Sequence, residues 1–432
     1  MPDSPSALGT ASATSDDRAD TAPLLSVHSE TAHLREVMVH TPSEEMDLVS
    51  PGNRFDLLFD DILFVGQARA EHARMCAVFE KIIARQGAVL QVSDLLRETF
   101  REEDARADFV RRLVEAMPKH NLGAFESRLA RLAPDELHRF ALTGQSLLPI
   151  HEEPVPNLMF TRDLAAVVGD CMILSHPAWP ARTRESVIMG TILRHHARFA
   201  GLGERLITMP DGVTFEGGDL IVVSPNVVLI GHSERTTFSG VMTIAQRLFE
   251  QTAVEHVVMV DLPKKRSYMH LDTVFTFVSH DECVVFPPLF SEAAPGNVVH
   301  FTRGDEPHRF VSEIRPDLKS TLEHVLGRSL TFSPCGGNDP LSQRREQWTD
   351  GANFFTLAPG VVMGYERNAR TFEMMQRHGY RVVSAEGFLQ YHEESAYDHS
   401  DNSEKIAIKL GGTELSRGRG GPRCMTMPLV RA

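Results

Sequence analysis

A two-strand unit that recurs along this chain limits its possible folds more than any other feature. Four segments repeat one plan: a polar residue, an apolar stretch, a turn dipeptide, then a second apolar stretch. They are DLAAVVGDCMILSH from Asp163, DLIVVSPNVVLIGH from Asp219, DTVFTFVSHDECVVFPP from Asp272 and NFFTLAPGVVMGYE from Asn353. The dipeptides GD, PN, HD and PG are the chemistry that tight turns favour, so each segment reads as a β-hairpin. A fifth β-like piece, LREVMVHTP (34–42), has no hairpin of its own, and CMTMPLVR near the C-terminus is expected to pair with it. Between hairpins, RTRESVIMGTILRHHARF (182–199) and SGVMTIAQRLFEQ (239–251) space their apolar residues by three and four, as amphipathic helices do. The polar start positions lie 56, 53 and 81 residues apart. Such repetition predicts an α/β fold of about five ββαβ units around a pseudo-symmetry axis, with the acidic start positions converging near it.

Residues 93–147 break the pattern. SDLLRETFREEDARADFVRRLVEAM and FESRLARLAPDELHRFAL are amphipathic, and Pro134 stands at a helix start with Asp135 and Glu136 in its first turn. An all-helical insertion is expected there, serving as a lid or oligomerisation element and dividing the repeat-bearing part into 26–92 and 148–432. Residues 1–25 are rich in Ser, Ala, Thr, Asp and Pro and lack both a basic n-region and an apolar h-region. They read as a disordered tail, not as a secretory signal.

The charge balance narrows the partners. With 44 basic and 58 acidic residues the chain carries a formal charge of −14, which disfavours nucleic acid or an anionic membrane and suits cationic small molecules. No apolar run nears the roughly 20 residues of a spanning helix. Five scattered cysteines (Cys76, Cys171, Cys283, Cys335, Cys424) form no CxxC pair, so neither a disulfide framework nor a structural zinc site is indicated. A reducing cytoplasm is the expected compartment.

Chemistry-bearing residues gather in NLMFTRD (157–163), FEGGDL (215–220), MHLDTVF (269–275) and the terminal GRGGPRC. A lone EGGD could be a turn with a solvated acid, and a lone strand histidine is more often structural. His270 and Asp272 at i, i+2 point to one side of a strand, which serves a metal or an acid–base site. Arg417, Arg419 and Arg423 flank Cys424; three such cations would repel a divalent ion and are expected to lower the pKa of a thiol. Cysteine, histidine and carboxylate are the parts of covalent catalysis. The surplus acids match a planar guanidinium through bidentate hydrogen bonds, which would hold its carbon before the sulfur.

Taken in order, NLMFTRD, WPARTRES, FEGGD, GHSERT, MHLDTVF, REQWTDGANF, PGVVMGYERN and GRGGPRCM resemble arginine deiminase, of the guanidine-modifying superfamily, from about Ser26 to Arg431. The resemblance implies a five-bladed α/β propeller with a helical insertion after the first unit. It also implies hydrolysis of L-arginine to L-citrulline and ammonia with no metal and no organic cofactor. By motif, Cys424 would be the nucleophile, His270 the general acid and base, and Glu216 its orienting partner, with Asp163 and Asp272 clamping the guanidinium. Arg182 and Arg235 match arginines that bind the substrate α-carboxylate, Asn157 and Phe160 line the pocket, Asp219 sits at the edge of the guanidinium site, and Arg419 resembles a mobile gate. The expected partners are L-arginine and further copies of the chain, as a homo-oligomer.

Two departures stand out. GRGGPRC has an arginine where some relatives have a histidine before the cysteine, and residues 390–412 are longer and more charged than the usual link. Agmatine deiminase, dimethylarginine hydrolase and amidinotransferase are the alternatives within the superfamily; Arg182 and Arg235 argue against agmatine. A non-catalytic arginine sensor would lack the nucleophile or base, and a metal hydrolase built on His270 and the acids would be inactivated by chelators.

Overall fold

The computed structural model describes residues 23–84, 87–116, 122–290, 297–304, 309–395, 397, 399 and 404–432. The expected disordered tail lies outside them as far as residue 22, as does part of the charged 390–412 segment; that segment's last residues form the strand Ile406–Leu410.

All four hairpins form. They are Ala165–Val168 with Cys171–Leu174, Leu220–Ser224 with Val227–His232, Phe275–Phe277 with Glu282–Val285, and Phe355–Ala358 with Val361–Tyr365. Gly169 and Gly360 take positive φ (59° and 75°) in two of the turns, where a residue with a Cβ would be strained. The fifth β-like piece, Leu34–Val39, pairs antiparallel with Met427–Arg431, as expected from their sequences.

Each pair then gains a parallel third strand at the same place. Leu34–Val39 takes Ala88–Gln91, Cys171–Leu174 takes Leu206–Ile207, and Val227–His232 takes His256–Asp261. Glu282–Val285 takes Thr331–Pro334, and Val361–Tyr365 takes Ile406–Leu410. Two sheets grow further, one by the hairpin Val298–Arg303 with Phe310–Arg315, the other by Arg381–Ser384. The result is a mixed α/β fold with five separate sheets of three to five strands, none closed on itself among the described residues. A parallel strand needs a crossover, and helices such as Val65–Ile83, Thr183–His195 and Phe238–Gln251 supply it.

Between Gln91 and the first hairpin lie the helices Val92–Thr99, Glu103–Ala116, Leu122–Leu129 and Pro134–Thr143. Pro134 opens the last of these, and Gly144 closes it with φ 70°. The first two pack on Thr183–His195, and Phe100, Phe109 and Leu113 share one buried core with Ile173, Ile188 and Ile192. Among the described residues no helix is long and apolar enough to cross a membrane.

The first described residues are stitched to the C-terminal strand. Ser26 N–H donates to the Leu429 carbonyl (2.9 Å), Arg431 N–H to that of Ser26 (2.6 Å), and His33 and Ala432 exchange two bonds of 2.9 Å.

Candidate active site

Short turns ahead of the first strand of each pair carry the polar residues. Asp163 ends Thr161–Asp163, Asp219 ends Gly217–Asp219, Asp272 lies in Leu271–Thr273, Asn353 precedes Phe355–Ala358, and Cys424 precedes Met427–Arg431. Hydrogen bonds connect these equivalent positions. Asn353 donates to the Asp272 carbonyl (2.9 Å) and accepts at Oδ1 from the N–H groups of Arg423 and Cys424 (both 3.1 Å). Arg162 N–H donates to the Cys424 carbonyl (3.0 Å), and Leu271 N–H to Asp219 Oδ1 (2.9 Å).

The turns enclose a cavity of about 400 Å³, mouth included, lined by Asn157, Phe160, Asp163, Arg182, Arg235, His270, Arg419 and Cys424, with Leu58, Arg266, Met269, Thr273 and Gly418. His270 is buried, with Nε2 2.9 Å from Glu216 Oε2 and Nδ1 3.7 Å from Asp163 Oδ1. Burial disfavours its charged form, but Asp163 and the Glu216 bond outweigh that and push its pKa up to about 9. Burial likewise opposes charge on Glu216, yet Arg235, the His270 bond and Arg182 hold its carboxyl far below the usual range. Gly218 explains how the imidazole comes so close: a Cβ there would lie 2.8 Å from the His270 ring and 2.9 Å from Asp163 Oδ1.

The thiol reverses a sequence expectation. Cys424 is buried, and burial, then Asp272, Asp163 and Asp350, push its pKa well above the ordinary thiol value. Two of the flanking arginines are engaged elsewhere. Arg417 pairs with Asp61 and Glu414 at the surface, and Arg423 donates to Asp272 Oδ2 (2.8 Å) and to Glu30 (3.0 and 3.1 Å). Asp272 Oδ2 stands 3.9 Å from the sulfur. The nucleophile candidate therefore faces carboxylates, which together with burial disfavour its thiolate form.

Arg182 donates from all three nitrogens: Nη1 to Asp163 Oδ2 (2.7 Å) and Glu216 Oε2 (3.3 Å), Nε to Glu185 (2.9 Å), and Nη2 to the Asn157 carbonyl (3.3 Å). Arg235 donates to both Glu216 oxygens (3.3 and 3.4 Å) while its Nε keeps no hydrogen bond. Asn157 is fixed by donating to the Leu57 carbonyl (2.7 Å), and Phe160 stacks on Phe59 at 6.4 Å. Asp219 does not line the cavity; its carboxylate accepts from Ser233 (2.6 Å), Thr236 (2.7 Å) and Leu271 N–H, bracing the turn behind His270. Asp163 Oδ1 and Asp272 Oδ1 are buried carboxylate oxygens without a hydrogen-bond partner.

Sequence reasoning assigned no role to Asn353, though it fills the fourth repeat position. Nor did it find Glu185, Asp350 or the Glu30–Arg423–Asp272 chain. The repeat could have signalled Asn353; the others have no local pattern.

Asp163, Glu216 and His270 offer donor atoms within 4.8 Å of one another, a possible cation site. Arg182 and Arg235 donate to those same carboxylates, so a divalent ion would meet two fixed guanidiniums and the charge favoured on His270. The donor set is better suited to a guanidinium than to a metal.

The fold is shared with AgrE, solved as a ternary complex with ornithine and NAD+, at a TM-score of 0.51 and 12% identity, covering 93% of this chain and 40% of that one. Residues 55–431 match the arginine deiminase family model. Arginine deiminase of Bacillus cereus strain B4264 is 32% identical over 430 residues, covering 94% of this chain and 98% of the relative. That of Limosilactobacillus fermentum is 33% identical over 432 residues, with the same coverage. The chain belongs to the arginine deiminase family, whose reaction turns L-arginine into L-citrulline and ammonia.

Proposed function

We propose that Cys424 performs this hydrolysis through a covalent amidino-thioether. The observation that carries the reading is the pair of unpartnered buried oxygens, Asp163 Oδ1 and Asp272 Oδ1, beside His270 and Cys424. A substrate guanidinium supplies the missing donors. Its positive charge also offsets the carboxylates that hold the thiol neutral, so binding itself favours the thiolate. The thiolate then adds to the guanidinium carbon, and protonated His270, oriented by Glu216, gives its proton to the departing ammonia. Neutral His270 next takes a proton from water, which attacks the thioether carbon and releases citrulline and the thiolate. Arg182 and Arg235 receive the α-carboxylate, Asn157 and Phe160 shape the pocket, Asp219 supports its edge, and Arg419 gates the mouth.

The reading is tested by assaying ureido product from arginine, agmatine and methylated arginines. Cys424→Ala should abolish citrulline release with an unchanged circular dichroism spectrum, and a chelator should change nothing. Substantial turnover by that variant would overturn the nucleophile assignment; agmatine outperforming arginine would overturn those of Arg182 and Arg235.

At the level of architecture we propose a five-bladed propeller, supported by five sheets that each combine an antiparallel pair with a parallel third strand. Residues 93–147 are its helical insertion, and 26–92 with 148–432 its body. Five free, buried cysteines support a reducing cytoplasmic location. A homo-oligomer is proposed as well, testable by light scattering on a sizing column.

A further inference from the structure

Arg419 is held in an unusual way. It takes φ 64°, a conformation that favours glycine, and its guanidinium carbon lies 3.3 Å above the centroid of the Trp348 ring. Its Nε and Nη1 are buried without a hydrogen-bond partner, and it lines the cavity together with Cys424 and His270. Asp350 is the carboxylate that acts on it most strongly. This buried carboxylate, also at positive φ (62°), leaves Oδ2 unpartnered; Arg419 is the strongest favourable charge on it, and it on Arg419. Burial raises the Asp350 carboxyl to about 7, so a cation beside it has an electrostatic purpose.

The segment carrying both residues is fixed to the rest of the site. Gln347 donates to the carbonyls of Ser267 (2.7 Å) and Thr273 (3.3 Å), on either side of His270. Asn353 N–H donates to the Asp350 carbonyl (3.0 Å), and the Asn353 side chain holds the Cys424 N–H. Aromatic face and carboxylate are thus presented from a braced turn, not from a drifting loop.

We propose that Trp348 and Asp350 form a seat for the Arg419 guanidinium, positioning residues that set how the cavity mouth admits and retains substrate while leaving the chemical step alone. Cation–π contact from the ring and attraction from the carboxylate hold a side chain whose own hydrogen-bonding groups are otherwise unmet. The inference rests on reading the cavity as the arginine site.

Steady-state kinetics of Trp348→Ala, Trp348→Phe, Asp350→Asn and Arg419→Ala test it. Trp348 is 46% exposed, and asparagine tolerates the backbone conformation of Asp350, so these variants should fold. The Ala and Asn variants should raise KM for arginine about tenfold or more with kcat held within about threefold, and Trp348→Phe should recover most of the loss. Combining Trp348→Ala with Arg419→Ala should be no worse than Arg419→Ala alone, because the seat acts only through that side chain. A fall in kcat at constant KM, an unchanged KM, or multiplicative effects in the double variant would overturn the seat. Absence of arginine turnover in the parent would instead overturn the reading of the site. The chain has two tryptophans, so Trp179→Phe/Cys424→Ala isolates Trp348. Its emission should shift saturably with arginine, and a flat titration at concentrations that calorimetry shows to saturate the protein counts against the seat.

Discussion

His270 stands between two carboxylates that do different work. Glu216 makes the hydrogen bond and Asp163 supplies the larger electrostatic push, and together they lift the imidazole pKa to about 9. Since this lies above the ordinary value near 6.5, the charged ring stabilises the fold fully below about pH 6.5, and that contribution disappears as pH climbs through about 9. Glu216→Gln should therefore lower the titration midpoint of His270, followed by NMR of its ring proton, and should weaken the loss of stability between pH 6.5 and 9. An unmoved midpoint would mean that Asp163 and Asp219 carry the shift without Glu216. That Cys424, His270, Asp163, Asp272 and Glu216 lie together was legible in the sequence because four of them occupy or adjoin repeat positions. The direction of the thiol pKa was not. Arginines adjacent in sequence suggested a lowered value, whereas folding pairs Arg423 with Glu30, 393 positions away, and sets distant carboxylates before the sulfur.

At the scale of elements, the turns fix the geometry of the candidate site and the hairpins fix the turns. The four hairpins and the helices Thr183–His195 and Phe238–Gln251 were legible from alternation, turn chemistry and three-to-four spacing. The hairpin Val298–Arg303 with Phe310–Arg315 and the strand Arg381–Ser384 were not: Phe310–Arg315 is mostly exposed and mixes charged with apolar residues, and Arg381–Ser384 belongs to no hairpin, pairing parallel with Ile406–Leu410. The glycine pair in FEGGD was read as permitting close approach, and Gly218 shows what approaches: the His270 ring. Gly218→Ala forces the imidazole and the Asp163 carboxylate away from the turn. Displacement on the order of 1 Å typically lowers turnover about 100-fold, so kcat should fall by that order while the far-ultraviolet spectrum stays native. A variant with near-normal kcat would show that the ring can shift without penalty.

For the whole molecule, the question is whether the helices between Val92 and Thr143 stand apart from the body. Their amphipathic faces were legible in the sequence; what they pack against was not, because a stripe of apolar residues does not name its partner. Phe109 is fully buried in the same core as the first hairpin and the helix Thr183–His195, so the helices and the body share their apolar interior. Removing a buried phenylalanine side chain costs about 3–5 kcal/mol. Phe109→Ala should lower the denaturant midpoint seen by tryptophan emission, which reports from Trp179 and Trp348, as much as the one seen by helical circular dichroism. Residues 92–147 expressed alone should remain unfolded, since their apolar faces lose the surface that covers them. Two separated transitions in the full chain, or a cooperative melt of the isolated segment, would instead make the helices an independent unit.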